Sequence, residues 1–437
     1  MENELPAGWF EVQLENLLVS LESGSRPKGG VRGITQGVPS IGGEHLNDVG
    51  GFKFSNIKFV PEKFASIMKR GQIHQGDVLI VKDGATTGKT AFVSSSFPFP
   101  LAFVNEHVFI CRPSSEIDPK FLFYFLWSRD GQQRILNNFK GSAQGGINTG
   151  FESNTLIPLA PFPEQKSIVS ILDSLFEKLE TDKRRLDRIP LILKRFRQSV
   201  LADAVNNNGS EEITKNVCED IQIGPFGTQL HRHEYISNGI PLVNPTHIQG
   251  GEIIPDFNLT VSQRKFDELS NYHLKVGDVI MGRRGEMARC ALIGIRENGW
   301  LCGTGSLFFR PNIKKIIPQY LYWVLCNSNT RSFLEGEAKG STMSNLNLNI
   351  VRNIPIPLPS IEEQKVIVKK VEDLFIFSEA IEARYNEAKA QFDKIPQSLL
   401  AKAFRGELVP QDSNDEPAAE LLQRIRSSKV KSKSSAN

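Results

Sequence analysis

The sequence predicts a mixed α+β chain written twice. Two similar globular domains are each followed by a long helix, and the two helices pair as an antiparallel coiled coil with pseudo-twofold symmetry. Three observations predict this. First, a shift of 199 residues superposes long stretches without a gap, and between positions 140 and 176 15 of 37 residues are identical; unrelated segments of ordinary composition would share about two. Second, each copy opens with short apolar and β-branched runs between Gly and Pro turns, the pattern of strands. Third, each copy then changes to apolar residues spaced by three and four over more than four heptads, the pattern of helices wound on each other.

The repeat aligns Lys140-Gly141-Ser142 with Lys339-Gly340-Ser341, Pro158-Leu159 with Pro357-Leu358, and Glu164-Gln165-Lys166 with Glu363-Gln364-Lys365. It places the first domain at 1–163, the first long helix at 164–210, the second domain at 211–362 and the second long helix at 363–408. Residues 409–437 end in RIRSSKVKSKSSAN, basic and Ser-rich, and are expected to be a disordered tail.

Within the domains, GDVLIVKDG (76–84) and GDVIMGRRG (277–285) read as strand then turn. The segments at 102–113 and 303–311 read as further strands. Those at 119–136 and 318–334 read as helices, each opened by a proline at a first-turn position. The seam of the first long helix runs Ile168, Leu172, Leu175, Leu179, Leu186, Ile189, Leu193, Phe196 and Val200, interrupted at Asp182. That of the second runs Ile367, Val371, Leu374, Ile381, Tyr385, Phe392, Ile395 and Leu399, with Ser378 and Ala388 at the intervening positions. Pro190 and Pro396 each follow a seam isoleucine and should kink or restart their helices. A rod of this kind is about 65 Å long at ~1.5 Å per residue. Antiparallel pairing would place the two domains at its opposite ends.

Composition removes several function classes. At 437 residues, 40% hydrophobic and 23% charged, the chain is an ordinary globular protein of two or three domains. It holds no run of 18 apolar residues, so no membrane span is expected. The start MENELPAGWFEVQ lacks the layout of a secretion signal, which predicts a cytoplasmic protein. Cys111, Cys218, Cys290, Cys302 and Cys326 are scattered without a Cys-x-x-Cys pair, which argues against a disulfide framework and against structural zinc. His231-Arg232-His233 reads as a surface turn, because no carboxylate or cysteine follows at ligand spacing. A net charge of +3 is uninformative, although residues 183–197 carry seven basic side chains and one acidic one.

The stretch VKDGATTGKT (81–90) suggests a phosphate-binding loop. That motif needs four residues between its first glycine and Gly-Lys-Thr. Here Gly84 and Gly88 enclose only three, and Asp83 takes the required glycine position. The duplicate, 285–289, loses the motif, so a nucleotide hydrolase is not expected. A Gly-x-Ser-x-Gly elbow is absent, and Asn244-Pro245-Thr246-His247 lacks the second proline and the aromatic of an adenine methyltransferase. The chain is expected to be non-catalytic.

The residues do resemble a known family. Leu5-Pro6-Ala7-Gly8-Trp9, the two Pro-Leu segments leading to Glu-Gln-Lys, and the run 395–410 (IPQSLLAKAFRGELVP) are similar to the specificity subunits of type I restriction–modification enzymes. The resemblance implies two DNA target recognition domains, each reading one half of an asymmetric bipartite site on double-stranded DNA. The paired helices would be a spacer and a dock for two methyltransferase subunits, with restriction/translocase subunits completing the enzyme. It implies no cofactor on this chain; S-adenosylmethionine, ATP and Mg belong on the partners. A coiled-coil scaffold whose globular ends bind proteins is the alternative.

Reading a duplex takes cations for phosphates and polar side chains for base edges. The Gly turns offer Lys82 and Lys89 in one copy and Arg283, Arg284 and Arg289 in the other. The loops after the domain helices offer Lys140, Ser142 and Gln144, and Lys339 and Ser341. Lys28, Arg32, His231 and Arg232 complete the candidate DNA-binding set.

Overall fold

The computed structural model describes residues 5–141, 145–205, 209–283, 289–338 and 346–434. The chain forms two compact units, Met1–Arg184 with Lys389–Asn437, and Arg185–Ala388.

Each unit is organised by one fully buried strand. In the first, Val78–Val81 sits in an antiparallel sheet of order Leu18–Ser23, Val108–Pro113, Val78–Val81, Thr90–Phe92. Successive strand residues face opposite sides, so Val78 and Ile80 enter one core while Leu79 and Val81 enter another. The VLIV run of the strand is therefore continuously apolar, having no solvent face. A smaller sheet, Lys58–Val60, Val38–Ile41 and Phe103–Val104, covers the second core, and Phe10–Gln13 pairs with Leu156–Leu159. The second unit repeats the arrangement with Cys218–Ile223, Ser306–Pro311, Val279–Gly282 and Cys290–Leu292. Again Val279 and Met281 face one core and Ile280 the other. Ser210–Ile213 pairs with Pro355–Leu358 as its counterpart pair does.

The domain helices break where their caps dictate. Pro119–Trp127 is started by the Asp118 carboxylate, which accepts from the Lys120 and Phe121 amides at 2.8 and 3.3 Å. It is stopped by Ser128, whose hydroxyl caps Arg129–Leu136. The segment expected as one helix at 119–136 is two.

The long helices start at Phe162 and Ile361. Each is joined to its own domain by a glutamine with no exposed surface. Gln165 accepts from the Asp118 amide at 3.0 Å and donates to the Ala160 carbonyl at 2.8 Å. Gln364 accepts from the Ile317 amide at 2.8 Å and donates to the Pro359 and Lys315 carbonyls at 2.9 and 3.0 Å. Both helices then break. Phe162–Leu186 gives way to Ile189–Val205, and Ile361–Phe392 to Ile395–Phe404. Proline's ring clashes with the carbonyl four residues back; for Pro190 and Pro396 those are Leu186 and Phe392, the last residues before each break. The rods restart rather than bend.

In the second unit the helices pair antiparallel. Arg197 donates to the Ser378 hydroxyl and meets Glu382, both at 2.7 Å, while Lys370 reaches Asp203 at 3.4 Å. Ser378, a polar interruption of the predicted seam, has no exposed surface and receives the guanidinium from the facing helix. Ile367 and Val371 pack with Val200, Ala204 and the domain residue Trp323. In the first unit Ile168 and Leu172 lie in the domain core with Leu400 and Ala403, and Phe404 packs on Phe121 and Phe125 with ring centroids 5.2 and 5.1 Å apart. The first seam residues of each rod thus rest on its own domain. Leu193 is buried; Leu175, Leu179, Leu186, Ile189, Phe196, Leu374, Ile381, Tyr385, Phe392 and Leu399 are half-buried. Ile395, placed in the seam by periodicity, is exposed at 36%, because the helix only restarts there.

The expected disordered tail is corrected. Residues Ala418–Ser434 form a helix, and Ala418, Leu421, Leu422 and Ile425 are buried in the first core. Their i, i+3, i+4, i+7 spacing makes one apolar stripe, hidden in the sequence by the Lys/Ser-rich residues that follow. The chain's two ends meet here. The Ala418 amide donates to the Gly8 carbonyl at 2.9 Å, and Glu164, 4% exposed, accepts from Trp9 Nε1 at 2.9 Å and from Gln411 at 3.4 Å. Burial lifts the Glu164 carboxyl above its ordinary value, and the Trp9 and Gln411 hydrogen bonds offset part of that rise. In the second unit Glu363 is instead exposed and held low by the Ser360 hydroxyl and amide in a capping box.

Gln165→Ala or Gln364→Ala should cost about 2–4 kcal/mol in urea unfolding, since each strands buried backbone partners. Because Glu164 is raised, its stabilising protonated form is fully present below the ordinary carboxylate range and is lost as pH rises through the elevated value. Glu164→Gln should therefore match the parent Tm in acid and exceed it increasingly toward neutral pH, as read by thermal melts across that range.

Candidate nucleic-acid interface

Both units bring several loops together at one end of the central sheet. In the first, the Lys82 amide donates to the His107 carbonyl at 2.9 Å and the Ile147 amide to the Lys82 carbonyl at 2.7 Å. Lys140 and Gly146 exchange two backbone hydrogen bonds of 3.0 Å, closing the loop that carries Lys140. The start of the Gly turn, at Lys82 and Asp83, thus neighbours Gly146 and Ile147. In the second unit the Arg283 amide donates to the Gly305 carbonyl at 3.0 Å and the Leu346 amide to the Arg283 carbonyl at 3.2 Å, the same arrangement.

The early loop of each unit is pressed onto this end by a glycine. A Cβ on Gly24 would lie 1.6 Å from the Val104 carbonyl oxygen, and one on Gly224 1.9 Å from that of Gly303. No other residue fits either position. In the first unit this brings Arg26 against His107 and Glu106, and His107 Nδ1 lies 2.6 Å from Asp83 Oδ1.

Below the loops each sheet carries the same strut. Asp77, 1% exposed, accepts from Arg112 Nε and Nη2, both at 2.9 Å, and from the His74 amide at 2.7 Å. Asp278, also 1% exposed, accepts from Arg310 at 2.9 and 2.7 Å and from the Lys275 amide at 2.8 Å. Each arginine also donates to a carbonyl, Gln72 or His273, at 2.9 Å. A bidentate pair of this kind fixes strand ends geometrically. Sequence reading missed these struts, although Gly-Asp-Val and Arg-Pro recur in both copies.

The predicted cations fare unequally. Lys82 lies 5.5 Å from the centroid of the Phe109 ring, half-buried, and Lys140 is exposed beside it. Lys28 and Arg32 are exposed on the early loop. Lys89 is ion-paired with the exposed Asp48 at 2.6 Å, and its own side chain is 19% exposed. His231 and Arg232 sit on a separate short turn capped by Glu234, and the rings of His231 and His233 stack at 5.5 Å. No hydrogen bond among the described residues joins that turn to the Gly turn. Arg289 accepts at its carbonyl from the Gly282 amide at 2.9 Å. Ser142, Gln144, Arg284, Lys339 and Ser341 lie outside the described residues.

The turn at 82–89 does not cradle phosphate. The Thr87 amide donates to the Gly84 carbonyl, Gly88 to Val81 and Lys89 to Thr86, at 3.2, 2.7 and 3.1 Å. A strand, Thr90–Phe92, follows where a phosphate loop needs a helix N-terminus. Among the described residues no group of three His, Cys, Asp or Glu side chains could hold a metal, and no helix is long and apolar enough to cross a membrane.

Comparison with known proteins agrees with this layout. The model of the type I restriction modification DNA specificity domain matches twice, at residues 9–191 and 230–390. The type I restriction enzyme EcoBI specificity subunit of Escherichia coli is 29% identical, over 92% of this chain and 91% of its own length. The StySPI specificity subunit of Salmonella potsdam is 28% identical over 98% and 96%. Among solved structures, a chain from a study of complex assembly and conformational transition in the type I R-M system gives a TM-score of 0.70 at 21% identity, covering 93% of this chain and all of that one. The HsdS subunit from Thermoanaerobacter tengcongensis gives 0.61 at 22%, covering 93% and 99%. These two likenesses show the fold. With the duplicated domains, the buried glutamines and the double match together, the chain belongs to the type I restriction–modification DNA specificity family and is a specificity subunit, a non-catalytic component of such an enzyme.

Proposed function

We propose that the chain reads an asymmetric, two-part site on double-stranded DNA, one half with each head, and that it carries methyltransferase and restriction/translocase subunits as partners in the cytoplasm. One observation carries the reading. The two heads share sheet order, strut and loop placement, yet differ in the side chains at the rim: His107 in the first stands where Gly305 stands in the second, the carbonyl of each accepting the amide of the residue that opens its Gly turn, Lys82 or Arg283. A common scaffold with unlike rims suits two unlike half-sites; two identical readers would require a palindrome. Lys82, Lys140, Lys28 and Arg32 would neutralise phosphates on the first head and Arg283 and Arg289 on the second. S-adenosylmethionine, ATP and Mg would reside on the partners.

The dock for those partners is supported by apolar side chains left uncovered on the paired helices of the second unit. Leu191, Ile192, Ile376 and Phe377 are 50, 59, 63 and 59% exposed, where a solvated helix face normally carries charge.

Replacing residues 1–163 by those of a relative should change one half of the modified motif and leave the other intact, as read by sequencing modified bases after co-expression with methyltransferase subunits; a motif changed in both halves, or in neither, refutes the one-head, one-half assignment. Ile376→Asp with Phe377→Asp should abolish co-purification of methyltransferase subunits without shifting the unfolding midpoint of the chain, since both side chains already face water. Undiminished co-purification would place the dock elsewhere.

A further inference from the structure

At the rim of the first head one cation is held differently from all the others. Arg26 Nη2 lies 2.8 Å from His107 Nε2 and is ion-paired with Glu106. Arginine can only donate, so His107 Nε2 is the acceptor, and its Nδ1–H donates to Asp83 Oδ1 at 2.6 Å. The imidazole therefore has both nitrogens engaged and presents no edge of its own to a ligand. Glu106 keeps its second carboxylate oxygen buried without a hydrogen-bond partner among the described residues. Its first oxygen faces the Arg26 guanidinium and also lies 3.3 Å from His107 Nε2, so the carboxylate, the ring and the guanidinium meet at one place.

Both protein contacts use Nη2. Nη1 and Nε meet no acceptor among the described residues, on a side chain 44% exposed. Nη1 can donate to two adjacent acceptors from a single nitrogen, as a lysine does with guanine O6 and N7. Lys28, Arg32 and Lys140 are exposed without such a harness, which suits phosphates, whose contacts tolerate imprecise placement. Lys89 is paired but largely covered. A fixed, charged donor on a half-open side chain is what reading a base edge requires, because its conformational freedom is already lost before binding.

We propose that Arg26 is a specificity-determining residue of the first head that reads a guanine in the major groove, and that Glu106, His107 and Asp83 are positioning residues that aim it. The second head cannot build this device, since Gly305 occupies the position of His107 and supplies no ring. The inference rests on the reading that the loop end of the first head faces DNA.

The test uses the full chain co-expressed with methyltransferase subunits, with duplex libraries randomised over both half-sites as the probe. Arg26→Ala should relax preference at one G·C pair of the half-site assigned to residues 1–163 by roughly ten- to a hundredfold and leave the other half-site unchanged. His107→Ala should relax the same pair to a smaller degree, and His107→Gln, whose amide oxygen can accept from Arg26, should restore it. Weakening that is uniform across sequences, with the salt slope falling by about one, would make Arg26 a phosphate contact and overturn the proposal, as would no change at all. If exchanging residues 1–163 alters no half-site, the underlying reading fails; if it alters one and Arg26→Ala does not, only this inference fails.

Discussion

Everything this chain does from a distance depends on a buried amide. Gln165 and Gln364 stand at the start of the long helices, each with no exposed surface, each accepting from the backbone that opens a domain helix and donating to the carbonyl of the strand that has just ended. A glutamine offers donor and acceptor on one short arm, so it can satisfy both orphan groups at a junction where water is excluded. Left unmet, those groups would cost more than the hydrogen bonds contribute. The amide makes the direction of the rod a property of the head. Without it a helix leaving a globular domain would hinge at the Pro-rich segments 161–163 and 357–359.

The duplication then diverges around this fixed joint. In the first unit the neighbouring Glu164 is drawn inward by Trp9 and Gln411, and the C-terminal helix inserts Leu421, Leu422 and Ile425 into the same core. In the second unit the equivalent Glu363 faces solvent and merely caps its helix. The two ends of the polypeptide thus complete one domain, while the other is completed by residues already inside the chain. The same Glu-Gln-Lys serves two environments, because only its glutamine is committed to the joint.

Along each sheet the division between shared and private residues repeats. The Asp77–Arg112 and Asp278–Arg310 struts are the same to within 0.2 Å and tie together the central strands at the ends remote from the Gly turns. A buried, bidentate ion pair tolerates little rearrangement, since removing one partner strands the other charge. The rim above it carries no such obligation, so His107 and Gly305 can occupy one position in the two heads. A rigid base under a variable rim lets a reader change its target without changing its fold.

The sequence by itself determined the duplication, the α+β heads and the paired rods, because period, turn chemistry and helical spacing are local signals that survive without partners. Its prolines marked where the rods restart, since the clash of a proline ring is set four residues away. What it could not determine depended on residues far apart in the chain. The apolar stripe 418–425 was hidden by its Lys/Ser-rich neighbours until a core received it. The ion pair of Lys89 with Asp48 spans 41 positions. The Arg26–His107–Asp83 chain joins three loops, and no spacing rule connects them. Tertiary structure alone decided these, because charge pairing and burial are properties of neighbours in space, and only folding makes those neighbours.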